Sequence, residues 1–311
     1  MTKKVYRVRN WSEYNKGLVS RGSLEVWFKK DDIKSAQGSH GNQVYSDLRI
    51  RCALTIRQLF HLTYRATEGF LCSLIRVNQL DIATPDYSTL CRRSKTLKVE
   101  LGARSSGSAR HILVDSTGVQ VLGEGEWKRL KHGASRCQVW KKLHVALDAD
   151  TLDILALNVT ESARHDGNSL PGLINQITGS IKQITGDGAY DKKNCYECAW
   201  QRGAKAVFPP QHNAAVQRSK TRKNPALVPR DELITTLNSA PDKEEALRVW
   251  KKETGYHRRS LVETNMSRLN VIFGDQMSAR TPENQVTELA IRCRIINKMN
   301  TLGLPKSVVV F

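Results

Sequence analysis

Long apolar runs are missing from this 311-residue sequence, and no stretch approaches the roughly 18 residues that a membrane-spanning helix needs. Acidic residues are also scarce, because 30 aspartates and glutamates stand against 49 lysines and arginines, for a formal net charge of +19. Such an excess of positive charge predicts a polyanionic partner, with a basic enzyme that has no nucleic-acid role as the alternative.

Motifs of three other kinds of chemistry are absent. The chain has no glycine-rich phosphate loop of the Walker type, so an ATP-driven mechanism is not expected, and it has no H-x-E motif with P-C-x-x-C, which a zinc deaminase requires. Cys195 and Cys198 form a lone C-x-x-C pair, for which a surface or half-buried helical turn is expected rather than a zinc site. The odd number of cysteines, seven, and the lack of a secretory leader predict free thiols in a reducing cytoplasm.

Residues 1–105 are predicted to be mainly helical, and the stretch 54–97 has the outline of a helix-turn-helix DNA reader. A turn separates its two helices, and Thr84 as N-cap with Pro85 at the first helical position predicts the start of the second helix. The residues of this second helix that are predicted to bind DNA are Arg92, Arg93 and Lys95. A plain solvated basic face is the alternative.

Residues 106–303 have a different sequence pattern, which predicts both strands and helices. Apolar and β-branched runs predict three antiparallel strands, then a helix, a fourth strand, a helix and a fifth strand, which together describe a mixed α/β sheet flanked by helices. A segment at about 208–250 interrupts this order, and the basic run from Arg218 to Lys223 within it predicts an exposed loop, lying on DNA or simply solvated. Residues 304–311 form a tail.

Three acidic residues stand where a phosphodiester-cleaving site needs them. Asp115 closes the apolar run HILVD, Asp187 closes IKQITGD, and Glu263 lies on a predicted helix reading YHRRSLVETNMSRLN. Asp115 and Asp187 lie side by side if the first and fourth strands are neighbours. Carboxylates are ligands that Mg²⁺ prefers, and a pair of such ions can activate an attacking oxygen and stabilise the leaving one. The sequence therefore predicts phosphodiester chemistry.

Two features near these acids have competing interpretations. Asp191 is the rival of Asp187 for the second position, but a turn or helix start explains it, so Asp187 is preferred. A helix is predicted from about Glu244 or Tyr256 through Phe273. The residues that would share one face of this helix are Tyr256, Arg259, Glu263 and Asn270. The plain alternative for this face is a surface ion pair.

Aromatic and polar residues between the strands are weaker candidates. Trp127 and Trp140 have the ring type that stacks on an unpaired base, although a core position is expected for Trp140 because it lies within a strand. His165 and Asp166 follow the third strand. They either face the site or, as expected, form a loop or helix-cap pair.

Motifs in a fixed order resemble those of bacterial insertion-sequence transposases of the DDE class. The segment TGDGAYD is followed by the pattern Y-x-x-R-x-x-x-E, as in that class. The segments GEGEWKRLKHG, WKKLHVALDADT, TPDYSTLCRR and RSLVETNMSRLNVIFG resemble the insertion-sequence-five group of these transposases. The resemblance extends from Tyr45 to about Gly303 and is specific because the motifs occur together in order.

The resemblance implies an RNase H-like catalytic domain that moves a DNA element by cut-and-paste, through Mg²⁺-dependent cleavage and strand transfer, with Mn²⁺ as a substitute. It implies that the catalytic and metal-binding residues are Asp115, Asp187 and Glu263. It implies DNA contacts for Tyr256 and Arg259, with Arg268 as a further basic residue. The lysine that the family usually carries two turns after the glutamate is Asn270 here, so the loss of one phosphate contact or reduced activity is expected.

The partners that the resemblance implies are double-stranded DNA, as terminal inverted repeats and as target, and further copies of the chain in a homodimer or higher assembly. No membrane is involved, and the expected location is the nucleoid of a bacterial cytoplasm. Two alternatives stay open. One is an RNase H-like nuclease that cuts without joining, and the other is a catalytically inactive DNA-binding repressor derived from a transposase.

Overall fold

A computed structural model describes residues 5–27, 45–122, 140–217 and 224–310. The segment GEGEWKRLKHG, which contains Trp127, and the basic run from Arg218 to Lys223 lie outside these residues. The chain divides into two units, the first formed by residues 1–102 with 278–311 and the second by residues 103–277. Within the described residues, no helix is long and apolar enough to cross a membrane.

The first unit is mainly helical. Its elements are β1 (Val5–Val8), α1 (Trp11–Ser20), α2 (Leu24–Trp27), α3 (Asp47–Leu59), α4 (Tyr64–Val77), α5 (Tyr87–Ser94), α11 (Pro282–Thr301) and β8 (Ser307–Val310). Strands β1 and β8 pair antiparallel, and neither was predicted. Helix α11 packs against α3 and α5 within this unit.

Helices α4 and α5 form the predicted pair, although their details differ from the prediction. The N-cap of α5 is Asp86 and not Thr84, because the Asp86 carboxylate accepts hydrogen bonds from the Thr89 backbone N–H at 2.8 Å and from the Ser88 hydroxyl at 2.5 Å. These bonds, that from Ser88 above all, hold the pKa of Asp86 well below its usual range. The connection over residues 78–86 is longer than the short turn of a helix-turn-helix.

The second unit is a mixed sheet with helices. Its elements are β2 (Arg110–Val121), β3 (Trp140–Asp148), β4 (Ile154–Glu161), α6 (Leu170–Ile174), β5 (Ile181–Thr185), α7 (Lys193–Gln201), β6 (Lys205–Val207), α8 (Val228–Ser239), α9 (Lys243–Glu253), α10 (Ser260–Phe273) and β7 (Gln276–Met277). The strand order is β4-β3-β2-β5-β6, and β7 pairs with β2. Strands β2, β3 and β4 are antiparallel neighbours, whereas β5 and β6 run parallel to β2. This order and these directions confirm the RNase H-like fold.

The two faces of strand β2 carry residues with different roles. Ile112 and Val114 point into an apolar core that α6 and α7 cover, together with Ile184 of β5. The alternation of a strand therefore turns Asp115 to the opposite face. Leu113 of β2 lies opposite Thr185 of β5, so Asp115 and the end of β5 come side by side, as predicted.

Three expectations about single residues or elements are wrong. Cys195 and Cys198 are buried in the core rather than on a surface or half-buried turn. Because they are three residues apart on α7, both thiols face the sheet. Trp140 is 37% exposed at the start of β3, where its ring lies over Gly118. Of the two starts predicted for the helix that ends at Phe273, Glu244 is wrong and Tyr256 is supported. Gly255, with a φ of 67°, separates α9 from the turn Tyr256–Arg259 that leads into α10.

Candidate active site

Asp115 is largely enclosed, with a side chain 17% exposed. Its Oδ1 accepts a hydrogen bond from the Ser116 backbone N–H at 2.8 Å, and its Oδ2 accepts one from Nη1 of Arg259 at 3.0 Å. Burial raises the pKa of Asp115, and the negative charges of Asp187 and Glu263 raise it further, against the lowering effect of its two donors. Asp187 and Glu263 are thus both close enough for their charges to act on Asp115.

Asp187 directly follows β5 by way of Gly186. A side chain at Gly186 would lie 2.6 Å from the ring of Tyr190 and 2.9 Å from a methyl group of Val114, so only glycine fits between β5 and the turn after it. Asp187 caps the short 3-10 turn Gly188–Tyr190, and its Oδ1 accepts a hydrogen bond from the Ala189 N–H at 2.9 Å. The turn therefore fixes the Asp187 carboxylate at the end of the strand beside Asp115.

Glu263 lies in the first turn of α10 and is half exposed. The Arg259 guanidinium forms an ion pair with it through Nη2 while Nη1 binds Asp115, so one arginine joins two of the three acids. Arg259 ends the 3-10 turn Tyr256–Arg259, and Tyr256 lies near enough for the charges of Arg259, Asp187 and Asp115 to shift its pKa, which burial raises. The structure brings these five predicted residues together.

Asp191, the rival of Asp187, has its carboxylate buried and fully engaged. Arg230 of α8 binds it with Nε 2.5 Å from Oδ1 and Nη2 3.2 Å from Oδ2. The Tyr196 hydroxyl donates to Oδ1 at 3.1 Å, and the Gln211 N–H donates to Oδ2 at 3.0 Å. Four donors and a side-chain exposure of 1% make Asp191 an anchor for the 208–250 segment, which leaves Asp187 as the candidate ligand.

A fourth acid, Asp166, lies close to the site, although the sequence predicted a loop or cap role for it. Its Oδ1 accepts hydrogen bonds from the Ser116 hydroxyl at 2.9 Å and from Nζ of Lys142 at 3.1 Å. The nearby hydroxyl of Tyr190 is buried and has no hydrogen-bond partner among the described residues. Burial raises the pKa of Tyr190, and the charges of Asp115 and Asp166 add to the effect. The position of Ser116 next to Asp115 indicated a polar residue beside the site. The sequence did not show that Asp166 would be its hydrogen-bond partner.

The oxygen donors at this site suit a hard divalent cation. Carboxylate oxygens hold Mg²⁺ and Ca²⁺ in proteins, and the mutual repulsion of three acids favours a cation among them. Across the described ranges, however, no three histidine, cysteine, aspartate or glutamate side chains are close enough together to hold one metal ion as they stand. Carboxylate oxygens are the ligand type that such an ion prefers, and the Arg259 guanidinium is at present paired with Asp115 and Glu263.

Comparison with known families decides the class of the protein. A family profile described as "Transposase DDE domain" matches residues 106–298, more than half of the chain, and a second one with the same description matches residues 19–124. The chain belongs to the DDE transposase family. The transposase is also similar to a solved structure described as "Cryo-EM structure of piggyBac transposase synaptic complex with hairpin DNA", with 11% identity, a TM-score of 0.42, and coverage of 96% of this chain and 76% of that chain.

The transposase carries its predicted DNA-binding arginines in its first unit, and they differ in environment. Arg92 and Lys95 are exposed, whereas the half-buried Arg93 side chain binds other residues of the same unit. Nη1 of Arg93 donates to the Tyr45 carbonyl oxygen at 2.7 Å, and its Nη2 pairs with Asp47 at the start of α3. Arg93 thus joins α5 to the beginning of α3.

Arg92 and Lys95 line a cleft between α4 and α5 with a third basic residue that the sequence analysis missed. The guanidinium of Arg65 lies 4.5 Å from the centre of the Tyr87 ring, a cation–π contact between the two helices. The residues that line the cleft are Thr63, Tyr64, Arg65, Tyr87, Ser88, Cys91, Arg92 and Lys95. Arg65 falls at the first turn of α4, where no periodic signal marked it.

The two remaining predicted positions lie further along α10 of the transposase. Asn270 is exposed on the same side as Glu263, as expected for residues seven apart on a helix. Arg268 is half-buried and points to a different side of α10. The position of the missing family lysine is therefore open to a ligand, and Arg268 does not replace it in space.

Proposed function

We propose that the transposase cuts DNA at the ends of an insertion-sequence-five type element and joins them to target DNA, with Asp115, Asp187 and Glu263 as its catalytic acids. The observation that supports this most is the gathering of the three carboxylates, from β2, from the end of β5 and from α10, around one arginine. The acids come from three separate elements, and the charges of Asp187 and Glu263 add to burial in raising the pKa of Asp115, so their grouping does not itself stabilise the fold.

The chain's own residues supply position and charge for two successive phosphoryl transfers. In the first, water attacks the phosphodiester at the element end and the 3′ oxygen of the element strand leaves. In the second, this freed 3′-hydroxyl attacks a phosphodiester of the target DNA, and the 3′ oxygen of the target strand leaves. Mg²⁺ held by Asp115, Asp187 and Glu263 would activate the attacking oxygen and stabilise the leaving one. Arg259 and Tyr256 border the acids, where a guanidinium and a hydroxyl can hold phosphate oxygens.

Recognition of the element ends is assigned to the α4 and α5 cleft. The cations of Arg65, Arg92 and Lys95 complement a phosphate backbone, and their exposure leaves them accessible to it. Because an element has two ends, we expect two copies of the chain to act together on DNA, as a homodimer or a larger assembly.

A cleavage assay tests this proposal. The substrate is a duplex carrying the terminal inverted repeat read from the DNA that flanks the coding region, with Mg²⁺ and target DNA. Asp115→Asn, Asp187→Asn and Glu263→Gln should each lower cleavage by about a thousandfold or more while end binding stays near that of the unchanged protein. The matched control is Glu245→Gln, an exposed acid on α9.

Each alternative has its own outcome in the same assay. Retained cleavage in all three variants would remove the acids from the mechanism. Cleavage without joined product would point to a nuclease, and end binding without any cleavage by the unchanged protein would point to a repressor, for which Asn270 is the one supporting feature.

A further inference from the structure

Arg259 holds a position that a metal ion would need. Its two terminal nitrogens bind Oδ2 of Asp115 and Oε1 of Glu263, the oxygens of two separate acids, and its side chain is 20% exposed. Asp115 already uses its other oxygen to accept the Ser116 N–H. A divalent cation binds carboxylate oxygens directly, at about 2.0–2.6 Å, and so needs the lone pairs that the guanidinium now engages. The guanidinium and a shared cation therefore compete for the same lone pairs.

The backbone that carries Arg259 is held by contacts that do not involve its guanidinium. Nη2 of Arg258 donates to the Ala149 carbonyl oxygen at 2.6 Å and to Asp150 at 2.7 Å, on the turn between β3 and β4. Nδ2 of Asn265 donates to the Leu152 carbonyl oxygen at 2.9 Å in the same turn. The start of α10, and Glu263 with it, therefore stays against the sheet if the Arg259 ion pairs open.

A second anchor lies just before the turn. Nε2 of Gln183 on β5 donates to the Thr254 carbonyl oxygen at 3.0 Å and also contacts His111 of β2 at 3.2 Å. This contact fixes the chain immediately before Gly255. Arg259 can thus change partners by rotating its long side chain, without movement of the helix that carries it.

We propose that Arg259 is an exchangeable counter-ion, which neutralises Asp115 and Glu263 until divalent cations bind and then turns to a DNA phosphate. The inference rests on the proposed metal-binding role of the acids. Since a phosphate that engages Arg259 removes a competitor from the carboxylates, DNA and metal each favour the binding of the other. The arginine would in this way delay full occupation of the site until the element end is in place.

Binding of Mn²⁺ to the full chain, followed by the electron paramagnetic resonance signal of the free ion, tests this coupling without any measurement of catalysis. The unchanged protein should bind Mn²⁺ weakly alone and more tightly with the end-containing duplex. Arg259→Ala should bind Mn²⁺ on the order of tenfold more tightly without DNA, and the gain on adding DNA should disappear. The Mn²⁺ bound by DNA itself is subtracted by using the Asp115→Asn complex.

Control variants separate the possible failures. Arg248→Ala removes an arginine that pairs only on the surface of α9 and should bind Mn²⁺ as the unchanged protein does. Arg259→Lys keeps the charge on a single ammonium, which cannot join both acids, so its affinity should be intermediate. This variant, together with a melting curve of each protein, also decides the question if Arg259→Ala fails to fold.

The result that overturns the inference is Mn²⁺ binding by Arg259→Ala that equals or falls below that of the unchanged protein while Asp115→Asn loses Mn²⁺. The acids would then bind the metal, but Arg259 would not compete with it for their oxygens. Mn²⁺ binding that is unchanged in Asp115→Asn would instead overturn the proposed role of the acids, and the counter-ion role with it.

Discussion

The candidate sites of the two units of the transposase differ in how their basic residues are paired. Around the acids of the second unit, the arginines are paired with carboxylates, as Arg259 is with Asp115 and Arg230 with Asp191. In the cleft of the first unit, Arg92 and Lys95 have no carboxylate partner within the described part of the chain. The cations beside the acids of the second unit are therefore balanced within the protein, whereas those of the cleft remain available to an anionic ligand.

This difference predicts that substitutions of the same chemical type affect different properties of the protein in the two units. Removal of a charge that is paired inside the protein should lower stability or change chemistry, because its partner is left behind. Removal of an exposed cation in the cleft should lower DNA affinity and leave stability alone.

The largest expected effect separates the two aspartates of TGDGAYD. Asp191→Ala should lower the free energy of unfolding by about 3–5 kcal/mol, because it leaves the Arg230 guanidinium buried without its partner. Asp187→Ala should cost less than about 1 kcal/mol and abolish cleavage. Urea denaturation and the end-cleavage assay measure the two effects. A stable Asp191→Ala protein together with an active Asp187→Ala protein would reverse the assignment.

The next effect sharpens the contrast within α5. Arg92→Ala should weaken binding of the element end by about 1–3 kcal/mol if it contacts a base edge, or by less, with a reduced salt dependence, if it contacts a phosphate. Arg93→Ala should instead lower stability by about 1 kcal/mol, through loss of its contacts with Tyr45 and Asp47, at unchanged affinity of the folded protein. Equal affinity losses in both variants, measured by fluorescence anisotropy, would contradict the division.

A smaller effect is expected on α10. Asn270→Lys should tighten end binding by a factor of a few and steepen the logarithmic salt dependence by about one, because one more phosphate is neutralised. Val271→Lys is the matched control, since Val271 is 82% exposed but lies about 100° around the helix. If the two lysine variants change end binding and its salt dependence equally, Asn270 does not face the DNA more closely than Val271 does.

The smallest expected effect concerns pH. Because the pKa of Asp115 in the folded protein is raised, mainly by burial, its ionised form opposes folding; the cost is absent below the unfolded value and fully present above the folded one. In metal-free buffer, Asp115→Asn should therefore be more stable than the unchanged protein near pH 7, and the difference should shrink as the pH falls. Melting temperatures of both proteins across this range show it. A difference that grows towards acid pH would contradict the raised pKa.

Local patterns were sufficient for the sheet and for the catalytic acids as candidates. Apolar runs ending in Asp115 and Asp187 predicted the strands, and the parallel pairing of β2 with β5 confirmed that they are neighbours. Gly255 carried a readable signal for a break between helices, which the periodicity across it obscured.

What the sequence could not show are partners that are far apart along the chain. The roles of Asp191 and Arg93 depend on Arg230 and Asp47, which no spacing rule connects to them. The pairing of β1 with β8 joins the two ends of the chain, and a strand pattern alone does not name its partner.

Diffraction from crystals of the transposase with Mn²⁺ and an end-containing duplex, using the anomalous signal of the metal, shows directly which side chains hold the ion. We expect anomalous peaks within bonding distance of Asp115, Asp187 and Glu263, with the Arg259 guanidinium moved from Asp115 to a phosphate. Peaks at Asp191 or Asp166 instead, or DNA bound in place while Arg259 still joins Asp115 to Glu263, would contradict this expectation.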